Sequence, residues 1–183
     1  MNIRKRIGRV LLDRYKRQKQ ANCDLSIENC WCAINQILKR TKYCLLITQG
    51  IDHPYPSARM VEPISDLDSF TFYIGTNPNL RKIKEIQNAP YVTLAFDNQQ
   101  DRANLIVHGR AVINADPQQR RTHWKGTWRL FFPDGPLGED YTVIEVKAER
   151  IELLSFKGNV VPEPFGLKPV VLIRQDSGWA FES

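Results

Sequence analysis

The chain has 183 residues, 42% of them hydrophobic and 25% charged, which suits one globular domain with an appended arm. No apolar run approaches the roughly 18 residues that span a bilayer. The net charge of +6 is unevenly placed: residues 1–20 hold eight Lys and Arg against Asp13 alone, a segment of +7, while the other 163 residues sum to −1. A polyanion-binding body is thereby excluded as the reading of the charge, and the function of the body has to rest on specific residues. Residues 1–24 are read as a basic helical arm and residues 25–183 as the domain. Met1 to Leu12 lacks the apolar core and small-residue cleavage site of a secretory signal, so a cytoplasmic protein is expected.

Within the arm, Ile3, Ile7, Val10, Leu11 and Tyr15 recur at near-helical spacing, with Arg and Lys between them. This predicts an amphipathic helix. It is read as a terminal helix that lays its apolar stripe on the body or on a partner subunit. Contact of residues 1–20 with nucleic acid or an anionic membrane is the alternative. A second helix is predicted over about Ser26 to Arg40, capped by Ser26, with Ile27, Cys30, Trp31, Ile34, Ile37 and Leu38 on one stripe. Tyr43–Thr48, Ser57–Ile64 and Phe70–Thr76 read as a three-stranded meander, with a turn over Gln49–Pro56.

Asn77 suits an N-cap and Pro78 the first helical position, so a helix is expected from there to Asn88. Tyr91–Phe96 and Ala103–Asn114 are expected strands. Asp116 caps a further helix, with Gln119 placed for a capping box and an end near Leu130. Phe131–Asp140 is a loop. Tyr141–Phe156 is one long strand, bent near Ala148, and Val170–Arg174 with Trp179–Phe181 form a closing hairpin. Hairpin-linked strands outnumber the helices, which argues a mainly β fold: an antiparallel barrel with peripheral helices.

The expected helix start after Thr76 carries the chemistry. A helix N-terminus offers unpaired N–H groups and a positive dipole end, which suit a phosphate. Arg81 and Lys82 stand in its first turns, Thr76 adds a hydroxyl, and Arg59 on a neighbouring strand can converge on the same point. Cys23, Cys30, Cys32 and Cys44 form no CxxC pair, and His53, His108 and His123 are scattered, so reduced thiols and no metal site are expected. No Cys, His or carboxylate of this region stands out as an acid or base, and no catalytic residue is assigned.

Arg59-Met60-Val61, Phe72 to Asn77, Arg81-Lys82, Asn88-Ala89-Pro90, Tyr91 to Phe96 and Val107-His108-Gly109-Arg110-Ala111 follow one another in order. Together they resemble the pyridoxamine 5'-phosphate oxidase-like family of FMN-binding split β-barrels, over about Ile34 to Phe156. The resemblance implies a homodimer that binds FMN at the subunit interface, and so an FMN-dependent oxidoreductase. Arg59, Arg81 and Lys82 would hold the phosphate, Met60 and Val61 would run beside the isoalloxazine, and Thr76 would contribute from its strand end. Trp124, Trp128 and the strand Ala103–Gly109 are the candidates by which a second subunit completes the pocket.

Three departures stand out. Ile74-Gly75 lengthens the usual Phe-Tyr-Thr strand end. Glu62-Pro63-Ile64 replaces a basic residue that helps hold substrate in the vitamin B6 oxidases. No His or Arg follows Arg174 in the tail. They point away from pyridoxamine phosphate oxidation and toward the general stress protein branch. Two other readings keep the barrel. One gives it haem or a deazaflavin, with His53, His108 or His123 as the available axial ligands. The other makes it a non-catalytic dimeric module tethered by the basic arm to an anionic partner.

Overall fold

A computed structural model describes residues 3–182, with side chains from Gly8 onward. Helix α1 (Ile3–Ala21) is followed by α2 (Ile27–Arg40), whose N-cap Ser26 accepts from the Asn29 N–H as its sequence predicts. The strands are β1 (Cys44–Gln49), β2 (Pro56–Val61), β3 (Pro63–Asp66), β4 (Thr71–Thr76), β5 (Tyr91–Asn98), β6 (Ala103–Asn114), β7 (Thr142–Ser155), β8 (Val170–Gln175) and β9 (Gly178–Phe181). Helix α3 (Arg81–Asn88) precedes β5, and α4 (Pro117–Thr122) follows β6.

All strand pairs are antiparallel, in the order β2-β1-β5-β6-β7-β4-β3, with β8 on β7 and β9 on β8. The two ends of that order, β2 and β3, are consecutive in the chain and joined through Glu62. The sheet therefore curls until its ends meet covalently, while no backbone ladder joins β2 to β4. This is the expected split β-barrel. It also corrects the three-stranded meander. Ser57–Ile64 is two strands, because Pro63 has no N–H to extend the ladder and begins a new strand paired with β4.

Alternation along β6 shows how the sequence builds the core. Ala103, Leu105 and Val107 are buried, and Asn104, Ile106 and His108 face outward. Phe72, Phe96, Leu46, Leu94 and Leu153 fill the barrel, and α2 closes it with Ile34 and Ile37. Each such side chain contributes about 1.5–3 kcal/mol by leaving water. The bend of the long strand falls where expected. The pairing shifts between His108 and Gly109, leaving Glu149 bulged opposite them. A smaller apolar group, Trp128, Tyr141 and Val143 with Trp124 and Phe132, packs beyond the barrel wall.

Three local expectations are corrected. Asn77 does not cap α3: its side chain accepts from the Asn79 N–H at 2.9 Å and the Leu80 N–H bonds its carbonyl at 3.3 Å. One turn is spent there, so the helix starts at Arg81. Helix α4 stops at Thr122 rather than near Leu130, since Trp124 turns into the aromatic group and Gly126 opens a separate 3-10 turn, Gly126–Leu130. Its capping box is half made: Asp116 accepts from the Gln119 N–H, but the Gln119 amide bonds His123 instead of returning.

The third concerns the arm. The helix forms, and of its predicted stripe Tyr15 packs on Phe165 of the body, while Val10 and Leu11 are 61–62% exposed on this chain. The side chains of Ile3 and Ile7 lie outside those described. No helix of the described chain is long and apolar enough to cross a membrane.

Candidate functional site

Thr48 and Ser57 sit opposite each other on β1 and β2 and point inward. A buried hydroxyl needs a partner. Both donate to Glu85, on the buried face of α3, at 2.6 and 2.8 Å. Glu85 is fully buried, and a buried carboxylate needs a cation. Arg59 supplies it: its guanidinium lies 2.5 Å from Glu85 and also donates to the Thr48 hydroxyl. Arg81, one turn before Glu85, adds a second cation at 3.0 Å.

Burial alone would raise the Glu85 pKa. The hydrogen bonds from Thr48, Ser57 and Arg59 outweigh it and hold the carboxyl below its ordinary value.

Lys82 adjoins this cluster. Its ammonium donates to the Thr76 hydroxyl at 3.0 Å, at the end of β4. Burial lowers its pKa, Arg59 pushes the same way, and Glu85 opposes. The three cations face one carboxylate. That leaves a net charge of +2 around partly desolvated donors, the complement of a phosphate dianion. Leu80 at the N-cap offers no side-chain acceptor and the Ile83 N–H bonds the Leu80 carbonyl at 2.9 Å, which leaves the Arg81 and Lys82 N–H groups of the first turn for an anion.

Lys82 also belongs to the wall of a cavity of about 250 Å³. The cavity lies in the split of the barrel. Met60 and Val61 come from β2, Gly75 from β4, and Trp128, Phe131 and Phe132 from the segment after α4. β2 is the end strand of the sheet, so one side of its backbone has no ladder partner. Met60 is 71% exposed and Val61 is buried, as strand alternation requires.

Glu62, in the same wall, is tied to Lys125 at 2.8 Å and Lys42 at 3.7 Å. Burial would raise its pKa, but the two lysines hold it low. The result is an apolar, aromatic slot with a cationic end.

Of the residues singled out by sequence, Arg59, Thr76, Arg81 and Lys82 are brought into one linked cluster, and Met60, Val61 and Lys82 line the cavity. Trp128 lines the cavity of its own chain, and Trp124 packs edge-on against Tyr141 behind it. Glu85, the residue that organises the cluster, was missed. Its signal was an acid between Ile83 and Ile86, four residues after Arg81.

The histidines are elsewhere: His108 bonds Thr93 on the outer sheet face, His123 stacks on Tyr73 at 3.4 Å, and His53 lies in the β1–β2 turn. None lines the cavity. Burial pushes the Cys30 thiol up to about 11 and the Cys44 thiol up to about 12.

The sequence model of the pyridoxamine 5'-phosphate oxidase family matches residues 32–155. No curated protein sequence matches. Among solved structures, the chain is similar to a protein related to general stress protein 26 from Clostridium acetobutylicum. That match has a TM-score of 0.69 and 19% identity, and covers 81% of this chain and 96% of that one. General stress protein 26 from Bacillus anthracis superposes with a TM-score of 0.58 at 20% identity, over 68% of this chain and 92% of that one. A pyridoxamine 5'-phosphate oxidase-related, FMN-binding protein from Nostoc punctiforme gives a TM-score of 0.60 at 17% identity, over 82% and 94%. At these identities the likeness carries the fold.

Proposed function

The chain belongs to the pyridoxamine 5'-phosphate oxidase family, and from that premise we propose that it is an FMN-binding flavoprotein, an oxidoreductase acting on a small molecule. The observation that carries the reading is Lys82, which belongs both to the cluster of cations around Glu85 and to the wall of the cavity in the split. Arg59, Arg81 and Lys82 would hold the phosphate. Thr76 orients the Lys82 ammonium, and Glu85 fixes both arginines. The open backbone side of β2 at Met60 and Val61 would accept and donate hydrogen bonds along a flat ring. Trp128 and Phe132 exclude water from the far wall. FMN would supply the electron transfer; the chain binds and orients the group and sets its polarity.

A homodimer is part of the same proposal. Met60, Leu45, Ala95 and Ile106 stand side by side across β2, β1, β5 and β6, giving an outward apolar row that starts at the cavity. Met60 and Leu45 are 71% and 45% exposed. A second copy seated on that row would border the slot.

The test is a fluorescence titration of the purified protein with FMN, together with the visible spectrum and the mass of any bound group. Saturable quenching of flavin fluorescence is expected. No quenching, or a haem spectrum, would sink the reading.

A further inference from the structure

Helix α1 touches the body along one stripe. Tyr15 meets the Phe165 ring edge-on at 6.0 Å, and the Lys16 ammonium lies over the same ring at 5.8 Å. One turn later, Lys19 donates to the Phe156 carbonyl at 3.5 Å and Gln20 to the Val161 carbonyl at 3.0 Å. Positions 15, 16, 19 and 20 are thus the inner face. Helical geometry puts Val10, Arg14 and Gln18 on the opposite side, and Leu11, four residues before Tyr15, on the flank between the two. Leu12 shares the inner face but lies beyond the body. Val10, Leu11 and Leu12 point to three sides of the helix and are all about three-fifths exposed, so this turn stands clear of the body, and Arg9, Arg14 and Arg17 are exposed around them.

An apolar stripe on a helix is ordinarily turned inward. Here the body grips only Tyr15, Lys16, Lys19 and Gln20, and Val10 and Leu11 are left in solvent, between cations. We propose that α1 is a surface-binding helix for bilayers rich in anionic lipid. It lies in the headgroup plane with Val10 and Leu11 inserted, and its Arg and Lys side chains contact the headgroups.

Two features choose this occupant over others. Nucleic acid would satisfy the cations but gives Val10 and Leu11 no apolar surface to enter. A second copy of α1 would cover the aliphatic residues, but it would set one +7 segment against another. An anionic bilayer satisfies both. Each cation near such a surface is attracted separately, so the charge of the arm adds up, while the near-neutral body stays in solution.

The full-length protein is sedimented with phosphatidylcholine vesicles, and with vesicles in which about one lipid in three is phosphatidylglycerol. It should bind the second and not the first, less tightly at high salt. Val10→Ser with Leu11→Ser, both exposed and so compatible with the fold, should weaken vesicle binding by at least about tenfold. Arg14→Gln with Arg17→Gln should weaken it several-fold, with FMN uptake unchanged in both variants. Three outcomes would overturn the proposal: no binding to anionic vesicles, binding to duplex DNA that survives the serine pair, or a serine pair that dissociates a dimer without any vesicle binding by the wild type.

Discussion

The Arg59 guanidinium, on β2, meets the fully buried Glu85 carboxylate, on α3, at 2.5 Å. This pair joins the end strand of the barrel to α3, which packs on β1 and β6. Glu85→Ala should leave Arg59 without its partner in a mostly buried site. A loss of about 3 kcal/mol is expected, at the low end for a broken buried pair because Arg59 keeps some exposure. Glu85→Gln still accepts from one hydroxyl and should lose less. Urea unfolding midpoints for the two variants check the order. Flavin affinity should fall in both, since Arg59 and Arg81 lose the group that aims them.

Acid should act through the same residue. The folded Glu85 pKa is held below the ordinary 4.5. As pH falls, the unfolded chain takes up the proton first, so the contribution of Glu85 is complete above that value. It is then lost as pH drops through the lower folded value. The wild-type urea midpoint should therefore fall between about pH 5 and pH 3 more steeply than that of Glu85→Gln. Parallel slopes would mean that Glu85 is not charged in the fold.

Sequence periodicity was enough to find β6, the bend of β7, the β8–β9 hairpin and α2, because each repeats a local pattern over many residues. The break at Glu62-Pro63 was visible only as a proline. That β3 pairs with β4 at the opposite end of the sheet from β2 depends on how the barrel closes, which no local window contains. The cations of the site were legible because they cluster in sequence. Glu85 was not, since its reason for being buried lies in Thr48, Ser57 and Arg59, residues 26 to 37 positions away. The exposure of Val10 and Leu11 escaped as well: spacing shows that a stripe exists, and only the contacts of Tyr15 and Gln20 show how far along the helix the body reaches.

Lys82 gives a prediction with two signs. Burial and Arg59 both disfavour its charge, so Lys82→Ala relieves repulsion in the protein without flavin, and its urea midpoint should hold or rise. FMN affinity should fall about tenfold or more, through one lost charge-assisted hydrogen bond. Riboflavin lacks the phosphate and serves as the control: its affinity should not change. Equal losses for FMN and riboflavin would move the phosphate away from Lys82.

Thiol chemistry checks the burial pattern independently. Cys32 is exposed, whereas Cys30 and Cys44 are buried, with thiol pKa values pushed up to about 11 and about 12. At neutral pH a thiol reagent should modify Cys32 quickly. Cys30 and Cys44 should react only on unfolding, because the thiolate is the reactive form and burial disfavours it. Fast loss of all four thiols in the native protein would contradict the packing of α2 on the barrel.

Gly75 tests the wall of the cavity. A methyl group there would come within 2.5 Å of the Trp128 ring and 2.8 Å of the Tyr141 ring. Neither ring can retreat freely: Tyr141 is 1% exposed, with Trp124 edge-on against it at 4.9 Å, and Trp128 is 5% exposed. Gly75→Ala should thus overpack this group and cost about 1–3 kcal/mol. Relief would come by moving Trp128, which lines the slot beside Met60 and Lys82. Tryptophan emission should shift, and the affinities for FMN and riboflavin should fall together. That pattern is the opposite of Lys82→Ala, because the ring end of the slot is altered and the phosphate end is intact.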